Sequence, residues 1–174
     1  MSEIKIERLV AEVFGGCNYE CQMCPQGEGG RDPEFLKQMP FELFEEILDD
    51  ASQYGENIVV NLDGSGEATL NKNLPKYIEA VAKRGHKPLI YTNGWLVRGN
   101  RMREMFDVGL YLCRFSDIGY NRETYKEWMR KDAFDTIIQN AREAKTYVEV
   151  QGYDAIVSSY HLIIDNNNRS IIFP

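Results

Sequence analysis

Three cysteine residues crowd into one short stretch near the start of the sequence. Cys17, Cys21 and Cys24 stand in the run Cys-Asn-Tyr-Glu-Cys-Gln-Met-Cys, and Gly15 and Gly16 come directly before it. Because paired glycines end regular structure, we expect all three thiols on a single loop. Three thiolates in a tight loop can bind three irons of a cubane iron-sulfur cluster and leave the fourth iron without a protein ligand. An open metal position of this kind is typical of a catalytic centre.

The alternative is a structural zinc loop that a fourth residue completes. The candidates for that ligand are Cys113, His86 and His161. None of them stands at a spacing that is characteristic of zinc fingers. The spacing therefore favours the open cluster, and for Cys113 we expect a buried structural thiol.

The composition indicates one ordinary globular domain over residues 1–174. The sequence is 43% hydrophobic and 27% charged, and its formal net charge is -7. A negative charge of this size disfavours a partner held through phosphate groups, so nucleic acid is not supported. No apolar run has the length of a membrane span, and charged residues interrupt the N-terminal ten positions. With the clustered cysteines, this predicts a cytoplasmic protein without a membrane partner.

Strands and helices alternate along the sequence. Apolar and β-branched runs predict strands over residues 4–14, 58–62, 87–91, 111–115 and 148–150. Helical periodicity predicts helices over residues 41–54, 74–84 and 100–108, and one long or two broken helices over 122–147. Alternation of this kind predicts an α/β fold with a parallel sheet that curls toward a barrel. Because a full barrel needs about 250 residues, we expect an incomplete one of about five to six units, followed by a C-terminal hairpin over 160–174.

The cysteine loop in this arrangement follows the first strand. There the spacing C-x-x-x-C-x-x-C resembles the radical S-adenosylmethionine superfamily, and the longer run C-N-Y-E-C-Q-M-C-P-Q-G is similar to one of its subgroups. That subgroup contains the molybdopterin-precursor synthase and the peptide- and sulfatase-modifying enzymes. The resemblance covers roughly residues 8–145. It implies a partial β/α barrel, a four-iron four-sulfur cluster on Cys17, Cys21 and Cys24, and S-adenosylmethionine on the free iron.

The resemblance also implies which residues contact S-adenosylmethionine. They share one feature, a place in the cysteine loop or near the end of a later strand or helix. The set is Met23, Gly64, Ser65, Gly66, Glu67, Thr92, Asn93, Ser116 and Arg130. Within it, Gly64-Ser65-Gly66-Glu67 is similar to the G-G-E-P loop of the family, and its carboxylate is expected to accept a hydrogen bond from the methionine ammonium.

The fourth strand departs from the family pattern. It ends in Ser116-Asp117-Ile118, whereas the family has the order Ser-Ile-Asp. Because side chains alternate along a strand, Ser116 and Asp117 should point to opposite faces. We expect Ser116 to reach the cofactor and Asp117 to point away from it.

The resemblance implies reductive cleavage of S-adenosylmethionine to a 5′-deoxyadenosyl radical that abstracts hydrogen from a substrate. A peptide or protein is the candidate substrate. No cysteine follows Cys113, so no auxiliary cluster is expected, and an external donor of the flavodoxin or ferredoxin type would supply the electron. Two alternatives stay open: a glycyl-radical activase, and a non-catalytic protein that binds an iron-sulfur cluster.

Overall fold

The fold is built on a six-stranded sheet. The structure is a computed structural model that describes residues 4–27, 32–164 and 170–172. The strands, in chain order, are β1 (Arg8–Val10), β2 (Val59–Asn61), β3 (Lys87–Thr92), β4 (Leu112–Ile118), β5 (Ile156–Ile164) and β6 (Ser170–Ile172). Their order in the sheet is the order in the chain. The first five strands are parallel, and β6 is antiparallel to β5.

Helices occupy every connection between parallel strands. They are α1 (Phe41–Ser52), α2 (Leu74–Lys83), α3 (Gly99–Asp107), and α4 (Arg122–Met129) followed by α5 (Phe134–Gln151). Because each strand pairs with the next one along the chain, every crossover returns to the neighbouring position. The result is the incomplete parallel β/α barrel that the sequence predicts.

The fifth strand differs from its prediction. Residues 148–150, predicted as a strand, belong to α5, and the fifth strand is β5. The Val-Glu-Val alternation resembles a strand, but Ala144 and Val148 are both buried, four residues apart, on one helical face. The helix ends at Gly152, which has a left-handed conformation with φ 68°. Packing of this face therefore overrides the local β propensity.

Two strand boundaries also differ from the predicted ones. β1 is shorter than the predicted run 4–14, and β4 continues beyond the predicted run 111–115 as far as Ile118. The predicted hairpin is present as the antiparallel pairing of β5 with β6, in which Leu162 lies opposite Ile172. Its expected turn around residues 165–168 lies outside the described residues. β5 thus serves both the parallel sheet and the hairpin.

One apolar cluster holds the helices to the sheet. Phe44 and Leu48 of α1 and Tyr77 of α2 are fully buried in it. The rings of Phe44 and Tyr77 lie 5.0 Å apart between centroids, so they join the first two helices directly. Aromatic pairs at this separation contribute more than their buried area alone.

The two neighbouring residues Leu43 and Phe44 test this packing. Phe44 is 0% exposed and Leu43 is 45% exposed, although both belong to α1. Phe44→Ala should lower the free energy of unfolding by about 3 to 5 kcal/mol, because it leaves a cavity in the core. Leu43→Ala should lower it by about 0.5 kcal/mol or less. Chemical denaturation of both variants measures the difference, and equal losses would contradict the assigned core face of α1.

Candidate functional site

One cavity lies at the carboxyl ends of the parallel strands. Its volume is about 190 Å³, and loops after β1, β2 and β3 meet there with the end of β4. Eleven of the sequence-predicted site residues line it: Cys17, Cys21, Met23, Cys24, Gly64, Ser65, Gly66, Glu67, Thr92, Asn93 and Ser116. Carboxyl-end loops meet at one edge of a parallel sheet, which explains how residues so distant in sequence come together.

The cysteine loop is folded by its own backbone and anchored to α4. The Cys24 N–H donates to the Cys21 carbonyl at 3.0 Å, and the Gly27 N–H donates to the Cys24 carbonyl at 2.8 Å. The Gln22 N–H donates to the carbonyl of Trp128 at 2.8 Å. These bonds hold all three thiols on the cavity wall.

The three thiols fit an iron-sulfur cluster with one open position. All four cysteines lie in the described part of the chain, none is in a disulfide bond, and Cys17, Cys21 and Cys24 are half-buried. A low-potential cluster needs such access for cofactor and electron donor, together with thiolate ligands. Within residues 4–27, 32–164 and 170–172, no three His, Cys, Asp or Glu side chains converge on a single metal ion.

The candidate fourth ligands occupy other places. Cys113 is fully buried, on the face of β4 opposite Ser116, and burial raises the pKa of its thiol far above the usual range. The ring of His86 accepts from the Ile58 N–H at 3.3 Å and bonds the Ser52 hydroxyl at 2.7 Å, away from the cavity wall. The side chain of His161 lies outside the described part of the structure.

Glu67 connects three of the loops. It is 3% exposed, and its carboxylate accepts four hydrogen bonds: from the Thr69 N–H at 3.1 Å, the Thr69 hydroxyl at 2.6 Å, the Thr92 hydroxyl at 2.8 Å and the Asn93 N–H at 2.7 Å. Its own N–H donates to the Gly16 carbonyl at 2.7 Å. The residue therefore fixes the loops after β2 and β3 against the cysteine loop. Three of the four bonds end on Oε1, which leaves Oε2 with capacity for a further donor.

A second carboxylate, that of Glu12, holds the glycine-rich loop. Its Oε1 accepts from the Gly66 N–H at 2.6 Å and from the Ser65 hydroxyl at 3.0 Å. A Cβ atom on Gly66 would lie 2.0 Å from the Phe14 carbonyl oxygen, so glycine alone allows this close approach. The sequence analysis did not identify Glu12. Its signal is a charged residue inside the apolar run that ends the first predicted strand.

The end of β4 separates two side chains that are adjacent in sequence. Ser116 lines the cavity, and Asp117 is fully buried and absent from the lining. Arg130, which the resemblance places on the cofactor, is exposed at the end of α4 with φ 52° and does not line the cavity. The lining of the cavity therefore gives no support to its expected contact with S-adenosylmethionine.

Further lining residues were not singled out from the sequence. They are Tyr19, Asp63, Tyr91, Ile118 and Met129. Asp63 is 8% exposed, and its Oδ1 accepts the Tyr91 N–H at 2.8 Å. Burial raises the pKa of the Asp63 carboxyl to about 7. The available signal was an acidic residue immediately after a buried strand.

Tyr19 forms part of the cavity wall beside the cysteines. Its hydroxyl lies 3.3 Å from the hydroxyl of Tyr125. Met129 follows Tyr125 by one helical turn, and its sulfur lies 3.6 Å from the sulfur of Cys21. Burial raises the pKa of Tyr19 to about 12, so its hydroxyl stays protonated. The part of the wall that Tyr19 and Met129 form is therefore uncharged.

Comparison with known proteins shows which family the chain resembles. The family model of the radical SAM superfamily matches residues 11–171. A tungsten-containing aldehyde ferredoxin oxidoreductase cofactor-modifying protein of Pyrococcus furiosus is 33% identical over 108 residues, which are 62% of this chain and 30% of that protein. A probable GTP 3′,8-cyclase of Metallosphaera sedula is 27% identical over 166 residues, 95% of this chain and 50% of that protein. The chain thus spans half or less of the length of these relatives.

A solved structure has the same fold. SuiB of Streptococcus suis, bound to the precursor peptide SuiA, superposes with a TM-score of 0.67 over 82% of this chain and 31% of that one, at 20% identity. The chain therefore belongs to the radical S-adenosylmethionine superfamily, whose cofactors are a four-iron four-sulfur cluster and S-adenosylmethionine. Among the described residues, no helix is both long and apolar enough to cross a membrane.

The raised pKa of Asp63 predicts a pH-dependent stability. Because the folded-state pKa lies above the unfolded one, Asp63 costs the fold stability progressively as the pH rises from about 4, where the unfolded carboxyl ionises, to about 7, where the folded one does. Asp63→Asn keeps the acceptor for the Tyr91 N–H and removes this cost. The variant should match the parent near pH 4 and gain about 2 to 4 kcal/mol relative to it at pH 8.5.

Chemical denaturation at several pH values between 4 and 8.5 measures this gain. The control is Asp154→Asn, which changes an exposed carboxylate and should show no comparable trend. A difference between parent and Asp63→Asn that stays constant with pH would contradict the burial of this carboxyl.

Proposed function

We propose that this protein cleaves S-adenosylmethionine reductively and that the resulting radical abstracts a hydrogen atom from a substrate. The observation that carries the proposal is that three cysteine thiols and the strand-end loops of β2, β3 and β4 line a single cavity. When bound, the reduced cluster supplies the electron for the cleavage. The protein contributes ligands, orientation and exclusion of water.

Within this proposal, each group of cavity residues has a role that follows from its chemistry. Cys17, Cys21 and Cys24 hold the cluster. The free capacity of Glu67 Oε2 and the exposed edge of the glycine-rich loop suit an ammonium group, which can only donate hydrogen bonds. Ser116 and Asn93 offer uncharged partners for ribose hydroxyls, and Met23 suits the face of an aromatic base.

The direct experiment is anaerobic reconstitution with iron and sulfide, followed by reduction with dithionite in the presence of S-adenosylmethionine. Formation of 5′-deoxyadenosine supports the catalytic proposal. A protein that binds the cluster and forms none would favour the non-catalytic alternative.

The metal ligands are tested by single substitutions. Cys17→Ala, Cys21→Ala and Cys24→Ala should each lose most of the cluster iron and 5′-deoxyadenosine formation, because a missing thiolate leaves a second iron without a protein ligand. Cys113→Ala is the matched control, since this thiol is buried on the other face of β4. Its iron content and visible absorption should equal those of the parent. Loss of the cluster in this variant would contradict the assignment of the three ligands.

Glu67 and Asp117 provide the second comparison. Glu67→Gln replaces the carboxylate that accepts four hydrogen bonds with an amide, which has one acceptor oxygen. It also removes the negative charge that is proposed to bind the ammonium group. S-adenosylmethionine should therefore bind roughly ten- to a hundredfold more weakly. Asp117→Asn should change this affinity little, because Asp117 does not line the cavity. Anaerobic titration of the cluster-loaded variants measures both. Equal losses would mean that the two faces of β4 are wrongly assigned.

The proposed substrate is a peptide or protein. SuiB, which shares the fold, is bound to a precursor peptide. The open side of the sheet also offers room, because Ile156 and Tyr160 of β5 are 43% and 36% exposed. An external flavodoxin or ferredoxin is the proposed electron donor. Reconstituted protein incubated with such a donor in place of dithionite tests that part separately.

A further inference from the structure

A row of polar side chains crosses the sheet beside the cavity. Tyr91 on β3 lies opposite Arg114 on β4, which lies opposite Ser158 on β5. Extending the β2–β3 register by two residues places Asp63 opposite Tyr91, and the bond from the Tyr91 N–H to Asp63 Oδ1 joins them. Three neighbouring strands and Asp63, which follows the end of β2, therefore contribute one residue each to a continuous row.

This row faces the same side of the sheet as the cavity. Asp63 and Tyr91 line the cavity themselves. Arg114 alternates with Ser116 and Ile118 along β4, and both of these also line the cavity. The guanidinium of Arg114 therefore lies on the cavity side of the sheet, one row away from Ser116.

Arg114 has only uncharged partners. Its Nε donates to the Ser158 hydroxyl at 3.1 Å, its Nη1 donates to the Tyr91 hydroxyl at 3.3 Å, and its Cζ lies 5.3 Å from the centroid of the Tyr91 ring. Among the described residues it forms no ion pair, although the chain has 27 acidic residues and a net charge of -7. Nη2 and the second hydrogen of Nη1 remain available, and a planar pair of such donors matches a carboxylate in a bidentate geometry.

The opposite end of the row carries the reverse charge. Glu12 accepts a hydrogen bond from the glycine-rich loop, and Asp63 accepts one from the Tyr91 N–H. A single guanidinium matches a monoanion better than a dianion, and the acidic end of the row disfavours a second negative charge. A carboxylate suits this field better than a phosphoryl group.

We propose that Arg114 binds a carboxylate of the substrate, held on the sheet face beside the cofactor cavity. The inference rests on the proposed function, since it takes the cavity as the reaction centre, and it narrows the substrate to one with a free carboxylate. For a peptide this is a C-terminus or an acidic side chain. Arg114 is then a residue that positions the substrate, and the Tyr91 ring and Ser158 hold its guanidinium in place.

The test is protection of Arg114 from phenylglyoxal in the cluster-loaded parent protein, measured by peptide mass spectrometry under anaerobic conditions. The probes are N-acetylglycine, its uncharged amide and inorganic phosphate at equal ionic strength. N-acetylglycine should slow modification of Arg114 by about threefold or more once most sites are occupied. The exposed Arg103, which packs on Tyr147 in the helical layer, is the internal control and should be unaffected.

Each other outcome overturns the proposal. Equal protection by N-acetylglycine and its amide would show that charge is not recognised, and stronger protection by phosphate would replace the carboxylate with a phosphoryl group. If Arg114 does not react with phenylglyoxal even without a probe, it is inaccessible to a molecule of this size. That result would also exclude Arg114 as a binding site for the substrate. Production of 5′-deoxyadenosine by the parent is measured separately, so failure of the radical chemistry with intact protection would remove only the proposed function.

Discussion

The arrangement of the site depends on one buried carboxylate. A carboxylate taken out of water is costly unless hydrogen bonds replace its hydration. Glu67 receives such bonds from Thr69, Thr92 and Asn93, and charge-assisted bonds of this kind are among the stronger ones in proteins. Because the donors belong to two different strand-end loops, the bonds form only when β2 and β3 are correctly paired. The backbone of the same residue binds Gly16, so the position of the cysteine loop follows from the same constraint.

The alternation of side chains along β4 explains how one strand contributes both to the apolar core and to the cavity. Along β4, Cys113, Phe115 and Asp117 are buried on one face, and Arg114, Ser116 and Ile118 lie on the other. The first face supports the helices. The second supports the cavity, so a residue inserted anywhere in β4 would exchange the two sets of functions.

Much of the site could be predicted because each of its loops carries a short pattern that is local in sequence. The cysteine spacing and the short polar runs after each strand identify the loops, and the carboxyl ends of parallel strands must meet at one edge. Asp63 and Glu12 were missed because an acidic residue in or just after a strand is a weak signal by itself, and their importance arises from contacts between strands. The fold beyond residue 145 was harder to predict. The sequence around Val148 resembles a strand, but Val148 and Ala144 are buried together on one face of α5, and this packing stabilises a helix. Arg130 shows the reverse problem, since its motif position is familiar but the residue does not line the cavity.

An incomplete barrel leaves the cavity side of the sheet only partly covered, and this affects which groups remain available for binding. In the apolar layer, every large side chain between sheet and helices is used for packing, so substitution there changes stability before it changes recognition. On the cavity side, Arg114 and Ser158 bind each other across β4 and β5, but Ile156 and Tyr160 on the same strand stay exposed. In the proposed site, cofactor contacts come from loop residues fixed by Glu67, whereas Tyr91, Arg114 and Ser158 lie within the strands themselves. The two sets are held by different interactions, so substitutions at Arg114 or Ser158 leave the hydrogen bonds of Glu67 in place. Substrate choice can therefore change within this fold while the radical chemistry stays the same.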